Sequence, residues 1–152
     1  MKNHTMKKLL LPLILTLIIA SCSRSDDGNT TNPYLPNYSF DTGNLVNTSL
    51  PGYSHLTFAN NYVVLENYGI NGVVLFYAGG TNYSAFELSD PNHQLTSCSH
   101  LTVEGVIATC DCDDGNSYDI LNGLGREGTT GQYVLKRYFV EPLGNIIRVY
   151  NN

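Results

Sequence analysis

The sequence predicts an all-β domain, an antiparallel sandwich or small barrel, and three observations predict it. Short runs rich in Val, Ile, Leu, Tyr and Phe recur from residue 38 onward, turn-forming pairs separate them, and none repeats with the 3.6-residue period of an amphipathic helix. The runs fall at residues 38–46, 62–66, 72–77, 83–87, 101–108, 117–121, 133–140 and 146–150. Their separators include Pro51-Gly52, Asn60-Asn61, Asn71-Gly72, Gly79-Gly80 and Gly144-Asn145. About eight strands in roughly 115 residues suffice for one two-layered core and are too few for two domains. Eleven tyrosines and no tryptophan read as half-buried cross-strand pairs with their hydroxyls in water. The rival reading of those tyrosines is a glycan-binding platform.

Ahead of the domain, Lys2, Lys7 and Lys8 precede an apolar run over residues 9–20, broken only by Pro12 and Thr16, as in the n-region and h-region of a signal peptide. The run is too short to cross a bilayer by itself. It ends in Ile19-Ala20-Ser21-Cys22, which resembles the lipobox of bacterial lipoproteins. That resemblance implies removal of residues 1–21 and a lipid on Cys22, hence a place in the bacterial cell envelope. The acidic stretch Ser23-Arg24-Ser25-Asp26-Asp27-Gly28 is similar to export signals on surface lipoproteins of the Bacteroidetes group, which points to the outer-membrane surface. Residues 22–36 have almost no apolar content and are expected as a flexible tether. The folded domain is then expected over 37–152. Loss of the leader leaves five basic residues against thirteen acidic ones, a formal charge of −8. Nucleic-acid binding, which rests on clustered Lys and Arg, is excluded as a role. The expected partners are a membrane, through the lipid, and an unidentified envelope protein or ligand.

Three cysteines remain after the lipid takes Cys22: Cys98, Cys110 and Cys112. An odd set in an oxidising compartment is most simply one disulfide and one free thiol, and the residues alone leave the pairing open. The cysteines flank the run 101–108. One loop starts near Asp90-Pro91-Asn92-His93, and the other reads Cys110-Asp111-Cys112-Asp113-Asp114-Gly115-Asn116-Ser117-Tyr118-Asp119.

In these two loops the chain resembles a Rieske-type iron–sulfur domain, and is most similar to Rieske-like lipoproteins of flavobacteria. That family carries a C-x-H loop and, one strand-bearing stretch later, a C-x-x-H loop that ends in an aromatic-Asp-Gly pattern. Here Asp90-x-Asn92 is followed by 17 residues and then Cys110-x-x-Asp113, so the spacing of the family is kept. Ser117-Tyr118-Asp119-x-x-x-Gly123 is similar to the end of the second loop, one residue later than usual. Gly72-Val73-Val74-Leu75 and Ser84-Ala85-Phe86-Glu87 resemble the strands leading into the first loop. Residues 133–140 and 144–149 resemble the last two strands, so the likeness covers 38–152. It implies a Rieske-like sandwich with two cysteine-bearing loops. It also implies a disulfide between Cys98 and Cys112, near where cytochrome bc Rieske subunits bridge their loops, although Cys98–Cys110 stays open from sequence. The cofactor it implies is a [2Fe–2S] cluster on two thiolates and two imidazoles.

The four ligand positions are occupied by Asp90, Asn92, Cys110 and Asp113. Carboxylate and amide oxygens match sulfide-bridged iron poorly, so the expectation is a lost cluster, no cofactor, no enzymatic activity, and a binding or structural role. The alternative set, Cys98, His100 and Cys110, leaves nine residues between His100 and Cys110. If 101–108 is one strand at about 3.3 Å per residue, those two ends are some 25 Å apart; His93 is a lesser candidate. Two rival functions follow: electron transfer through a variant cluster, and a calcium- or glycan-binding surface lipoprotein. Asp111-x-Asp113 meets Gly115 too early for a calcium loop, and a solvated acidic turn is the simpler reading.

Overall fold

The computed structural model describes residues 32–152. The expected leader, Cys22 and the tether up to residue 31 lie outside the described residues. Among the described residues no helix is long and apolar enough to cross a membrane. The strands are β1 (Phe40–Asp41), β2 (Asn61–Leu65), β3 (Val73–Gly79), β4 (Asn82–Glu87), β5 (Leu101–Glu104), β6 (Ile107–Cys110), β7 (Ser117–Asp119), β8 (Arg137–Leu143) and β9 (Ile146–Asn151). All pair antiparallel, in a six-stranded sheet ordered β1-β9-β8-β4-β3-β2 and a three-stranded sheet ordered β5-β6-β7.

The near-continuous apolar stretch of β3 has a plain cause: both faces of the strand are covered. Side chains alternate along a strand, so Val73 and Leu75 join a core with Leu56, Val63, Leu65, Tyr138, Ile147 and Val149. Val74 and Phe76 join a second core with Phe86, Leu88, Leu101, Ala108, Tyr118, Ile120 and Leu135. The second core lies between the large sheet and the small one, and Cys110 is part of it. Strand β8 changes partner along its length. Arg137 and Tyr138 pair with Phe86 and Ala85 of β4, whereas Phe139 to Leu143 pair with β9.

The structure corrects four expectations. The run 101–108 is not one strand but the hairpin β5–β6, in register from Leu101 opposite Cys110 to Glu104 opposite Ile107. Gly105 turns the chain with φ at +61°, a left-handed conformation that suits glycine. His100 and Cys110 therefore lie together at the open end, with the Asp111 N–H donating to the His100 carbonyl at 3.0 Å. The 25 Å separation that spoke against the Cys98, His100, Cys110 set does not exist.

Second, the run 38–46 contributes only the two-residue β1, held at the sheet edge against β9. There Arg148 reaches both Asp41, at 2.7 Å, and Glu141, at 3.1 Å. The Arg148 guanidinium, helped by the Gly43 N–H, holds the Asp41 carboxyl down to about 2. Third, the packed domain starts before residue 37: Leu35 is 5% exposed, Tyr34 meets Tyr133 edge-on, and Asn32 donates to the Pro91 carbonyl at 2.8 Å. One buried leucine and an amide anchor supply what composition withheld from that segment.

Fourth, the two most buried tyrosines, Tyr118 and Tyr138, do not send their hydroxyls to water. They donate to the buried carboxyls of Asp90, at 2.8 Å, and Glu87, at 2.6 Å.

Candidate functional site

The two loops meet where the hairpin β5–β6 opens. The first, residues 88–100, connects β4 to β5 and is tied at its base by a bridge between Ser89 and His100 and by the Asp90 N–H donating to the Ser99 carbonyl at 2.9 Å. The second, residues 111–116, connects β6 to β7. Cys98 of the first loop is bonded to Cys112 of the second, with a Cα–Cα distance of 4.8 Å. Cys110, at the end of β6, is a buried free thiol.

Asp90 is fully buried and fully used. Its Oδ1 accepts from the Asn92 N–H and the Tyr118 hydroxyl, both at 2.8 Å, and its Oδ2 accepts from Asn116 Nδ2 at 2.9 Å. Asn92 clamps a third segment, residues 129–135, between the loops. Its Oδ1 accepts from the Tyr133 N–H and its Nδ2 donates to the Tyr133 carbonyl, each at 2.8 Å, with a further bond from Nδ2 to the Tyr118 oxygen at 2.9 Å. Asn116 Oδ1 accepts from the Thr130 N–H at 2.8 Å. Among the described residues, no buried side-chain nitrogen or oxygen lacks a partner. Burial pushes the Tyr118 phenol up, and the Asp90 carboxylate does so further against the opposing Asn92 amide, which suits a permanent donor.

Gly131 is needed for this clamp. Its φ is +97°, and a β-carbon there would run into the Asn92 side chain. Replacing Gly131 with alanine should therefore displace Asn92, release Tyr133 and cost about 2–3 kcal/mol of stability. Urea denaturation measures this, and a neutral result would mean that the clamp carries little of the fold's energy.

Of the four positions expected from sequence to correspond to cluster ligands, Asp90, Asn92 and Cys110 converge and Asp113 does not. Asp113 is exposed, and its neighbour Asp114 turns inward instead. His93 Nε2 sits 3.3 Å from Cys110 Sγ, 3.2 Å from Asp114 Oδ2 and 3.7 Å from Asp90 Oδ2. His100 faces the other way and pairs with Asp111 at 3.3 Å. With Cys98 in the disulfide and His100 turned outward, the alternative ligand set is dispersed by side-chain direction and bonding, not by strand length. Burial above all, then the Asp90 and Asp114 carboxylates, push the Cys110 thiol up to about 12, against the lowering effect of the Cys112 N–H.

Apart from Asp113, the acidic residues of the second loop and of β7 are held by nearby donors. Asp111 accepts from the Thr102 hydroxyl at 2.8 Å, Asp114 from the Asn116 N–H at 3.0 Å and Asp119 from the Leu121 N–H at 2.7 Å. They form no common oxygen cage of the kind calcium requires. Sequence reasoning missed Asn116, Thr130 and Gly131 and preferred Asp113 to Asp114. The available signal was Asp114-Gly115-Asn116, a turn pattern whose Gly115, at φ +75°, reverses the chain just after Asp114.

A [2Fe–2S] centre of Rieske type asks for two thiolates and two imidazoles. The junction offers one free thiol and one imidazole, because two of its three sulfurs are joined to each other. The residues present do not fit the group. What fold and site define is an all-β domain whose two loops are locked together by a disulfide and by a buried carboxylate–tyrosine–amide network.

No protein-family model matches the sequence, and no curated protein matches it. Among solved structures, a chain from the "Complex of reduced oxygenase and oxidized ferredoxin in carbazole 1,9a-dioxygenase" is similar to this chain. The identity is 19%, the match covers 60% of this chain and 82% of that one, and the TM-score is 0.39. A likeness of that degree assigns neither ligand nor activity.

Proposed function

We propose that this chain is an envelope lipoprotein, lipid-anchored through Cys22, whose domain keeps a Rieske-like two-loop frame and uses it as a rigid binding or structural element without an iron–sulfur cluster. The observation that carries the reading is how the ligand-equivalent positions are spent. Asp90 and Asn92 hold Tyr118, Asn116 and Tyr133, and the two cysteines flanking the site are bonded to each other. A polar network satisfied throughout is rigid and specific, so the positions contribute to the fold without iron. The loop spacing and the flanking strand patterns support the Rieske-like part of the reading, and the Ile19-Ala20-Ser21-Cys22 motif supports the anchor.

The full chain, expressed in a bacterium and purified from membranes under anaerobic conditions, is expected to be colourless, free of iron and sulfide, and refractory to reconstitution with both. Its non-reduced mass should show a lipid on Cys22 and one disulfide. Visible absorption with near-stoichiometric iron and sulfide would overturn the cluster-free reading, and an unmodified Cys22 in the membrane-derived protein would overturn the anchor.

A further inference from the structure

The junction that does not fit two irons nevertheless gathers donors for one ion. The ligand atoms of His93, Cys110, Cys112 and Asp114 all lie within 4.8 Å of one another. Cys112 is spent in the disulfide, which leaves an imidazole, a thiol and a carboxylate. Ligands about 2.0–2.3 Å from a tetrahedral zinc ion stand roughly 3.3–3.7 Å from each other along the tetrahedron's edges. His93 Nε2 already stands 3.3 Å from Cys110 Sγ and 3.2 Å from Asp114 Oδ2.

The imidazole is also presented the right way round. His93 Nδ1 is 2.9 Å from the Gln94 carbonyl, which can accept the Nδ1 proton and leave Nε2 for a metal. Backbone carbonyls fix metal-binding histidines in this tautomer. Nε2 then faces a sulfur and two carboxylates. Cys110 and Asp90, at 5% and 0% exposure, form the floor of the site, while His93 and Asp114, with side chains 26% and 27% exposed, leave it open to solvent. Asp90 has its three donors, so it adds negative charge behind the site rather than a ligand atom.

We propose that His93 Nε2, Cys110 Sγ and Asp114 Oδ2 bind a single borderline divalent cation, Zn²⁺ in the first place, with the fourth position left to solvent. An N, S, O set of three protein ligands suits Zn²⁺ better than it suits Mg²⁺ or Ca²⁺. On binding, the Cys110 S–H bond breaks, a sulfur–metal bond forms and the thiol proton leaves to solvent together with any proton carried by His93 Nε2, with no change of oxidation state. The inference rests on the reading that no iron–sulfur cluster is assembled here.

The test is a titration of the full chain, purified without reductant so that the disulfide is kept, with Co²⁺ as a spectroscopic substitute. The expected result is one equivalent taken up, with tetrahedral visible bands and a thiolate-to-cobalt charge-transfer band, both abolished by competing Zn²⁺. His93→Gln should weaken binding by at least roughly tenfold, and Cys110→Ser should remove the charge-transfer band. His100→Gln, on the outward histidine, should leave both unchanged. Zn²⁺ should also raise the melting temperature of the parent chain and not that of His93→Gln, which separates lost binding from lost folding. Absence of Co²⁺ uptake, or uptake indifferent to His93 and Cys110, would overturn the single-ion site while leaving the cluster-free reading intact. Iron and sulfide in the purified chain would overturn that reading instead.

Discussion

Replacing Glu87 with alanine is expected to lower the unfolding free energy by about 4 kcal/mol, the largest effect of any single substitution considered for this domain. Glu87 ends β4 with no exposed surface, and its carboxyl serves four donors. Oε2 accepts from the Ile70 N–H at 2.8 Å and the Tyr138 hydroxyl at 2.6 Å, and Oε1 accepts from the Asn71 N–H and the Ser89 hydroxyl, each at 2.9 Å. Two of those donors belong to the turn before β3, and Tyr138 belongs to β8. Truncation strands all four where water reaches them poorly, and a buried unsatisfied donor costs about 1–3 kcal/mol.

The turn is fitted closely to that carboxyl. Gly69 has φ at +73°, and a β-carbon there would run into Glu87 Oε2. Tyr138→Phe removes one donor without orphaning the others and should cost only about 1 kcal/mol. Urea denaturation of both variants gives the comparison. Equal losses would show that the tyrosine bond alone carries the effect, and a loss below 1 kcal/mol for Glu87→Ala would show that the network is dispensable.

The second large effect is expected from changing Cys98 and Cys112 together to serine: a loss of about 3 kcal/mol, the chain-entropy value for closing a loop of this size. The bond spans a sequence separation of 14 and joins loops that otherwise meet through side chains and one backbone bond, from the Asp111 N–H to the His100 carbonyl. Against a typical domain stability of about 5–15 kcal/mol, that is a large share. The melting temperature should fall by roughly 10 °C, with ellipticity at low temperature unchanged. Calorimetry checks it. A drop of only a degree or two would mean that the Asp90 and Asn92 network holds the junction without help.

The β-rich class, the positions of β2, β3, β4 and β9, and the loops that carry the site were legible in the sequence because short apolar runs bounded by turn pairs leave few alternatives. The hairpin β5–β6 was not, because Gly105 is the single interruption in an otherwise strand-like run. A lone glycine there is compatible with a bulge as well as a turn. Residues 133–136 read as the start of a strand by their Tyr, Val and Leu content, yet β8 begins only at Arg137. Tertiary demand explains the difference: the Tyr133 backbone is taken by Asn92, which removes it from any ladder.

The site was legible as a place and not as a geometry. Which of Asp113 and Asp114 turns inward depends on the dihedral angles of the turn before Gly115, and no count of residues between motifs carries that information. The inward direction of His93 rests on the Gln94 carbonyl, a backbone group that sequence cannot orient.

The docking of Asn32 on Pro91 and of Leu35 in the protein interior has a mechanical consequence. Tension arriving along the chain from upstream of residue 32 is delivered first to the backbone of the 88–100 loop, through the hydrogen bond of the Asn32 amide to the Pro91 carbonyl at 2.8 Å. Lys136 Nζ, which grips the Pro36 carbonyl at 2.9 Å, passes part of the same load to the segment leading into β8. A pull on that end therefore tests the loop junction before it tests the β-sheets, and the covalent crosslink between the loops sits where such a load would otherwise open them.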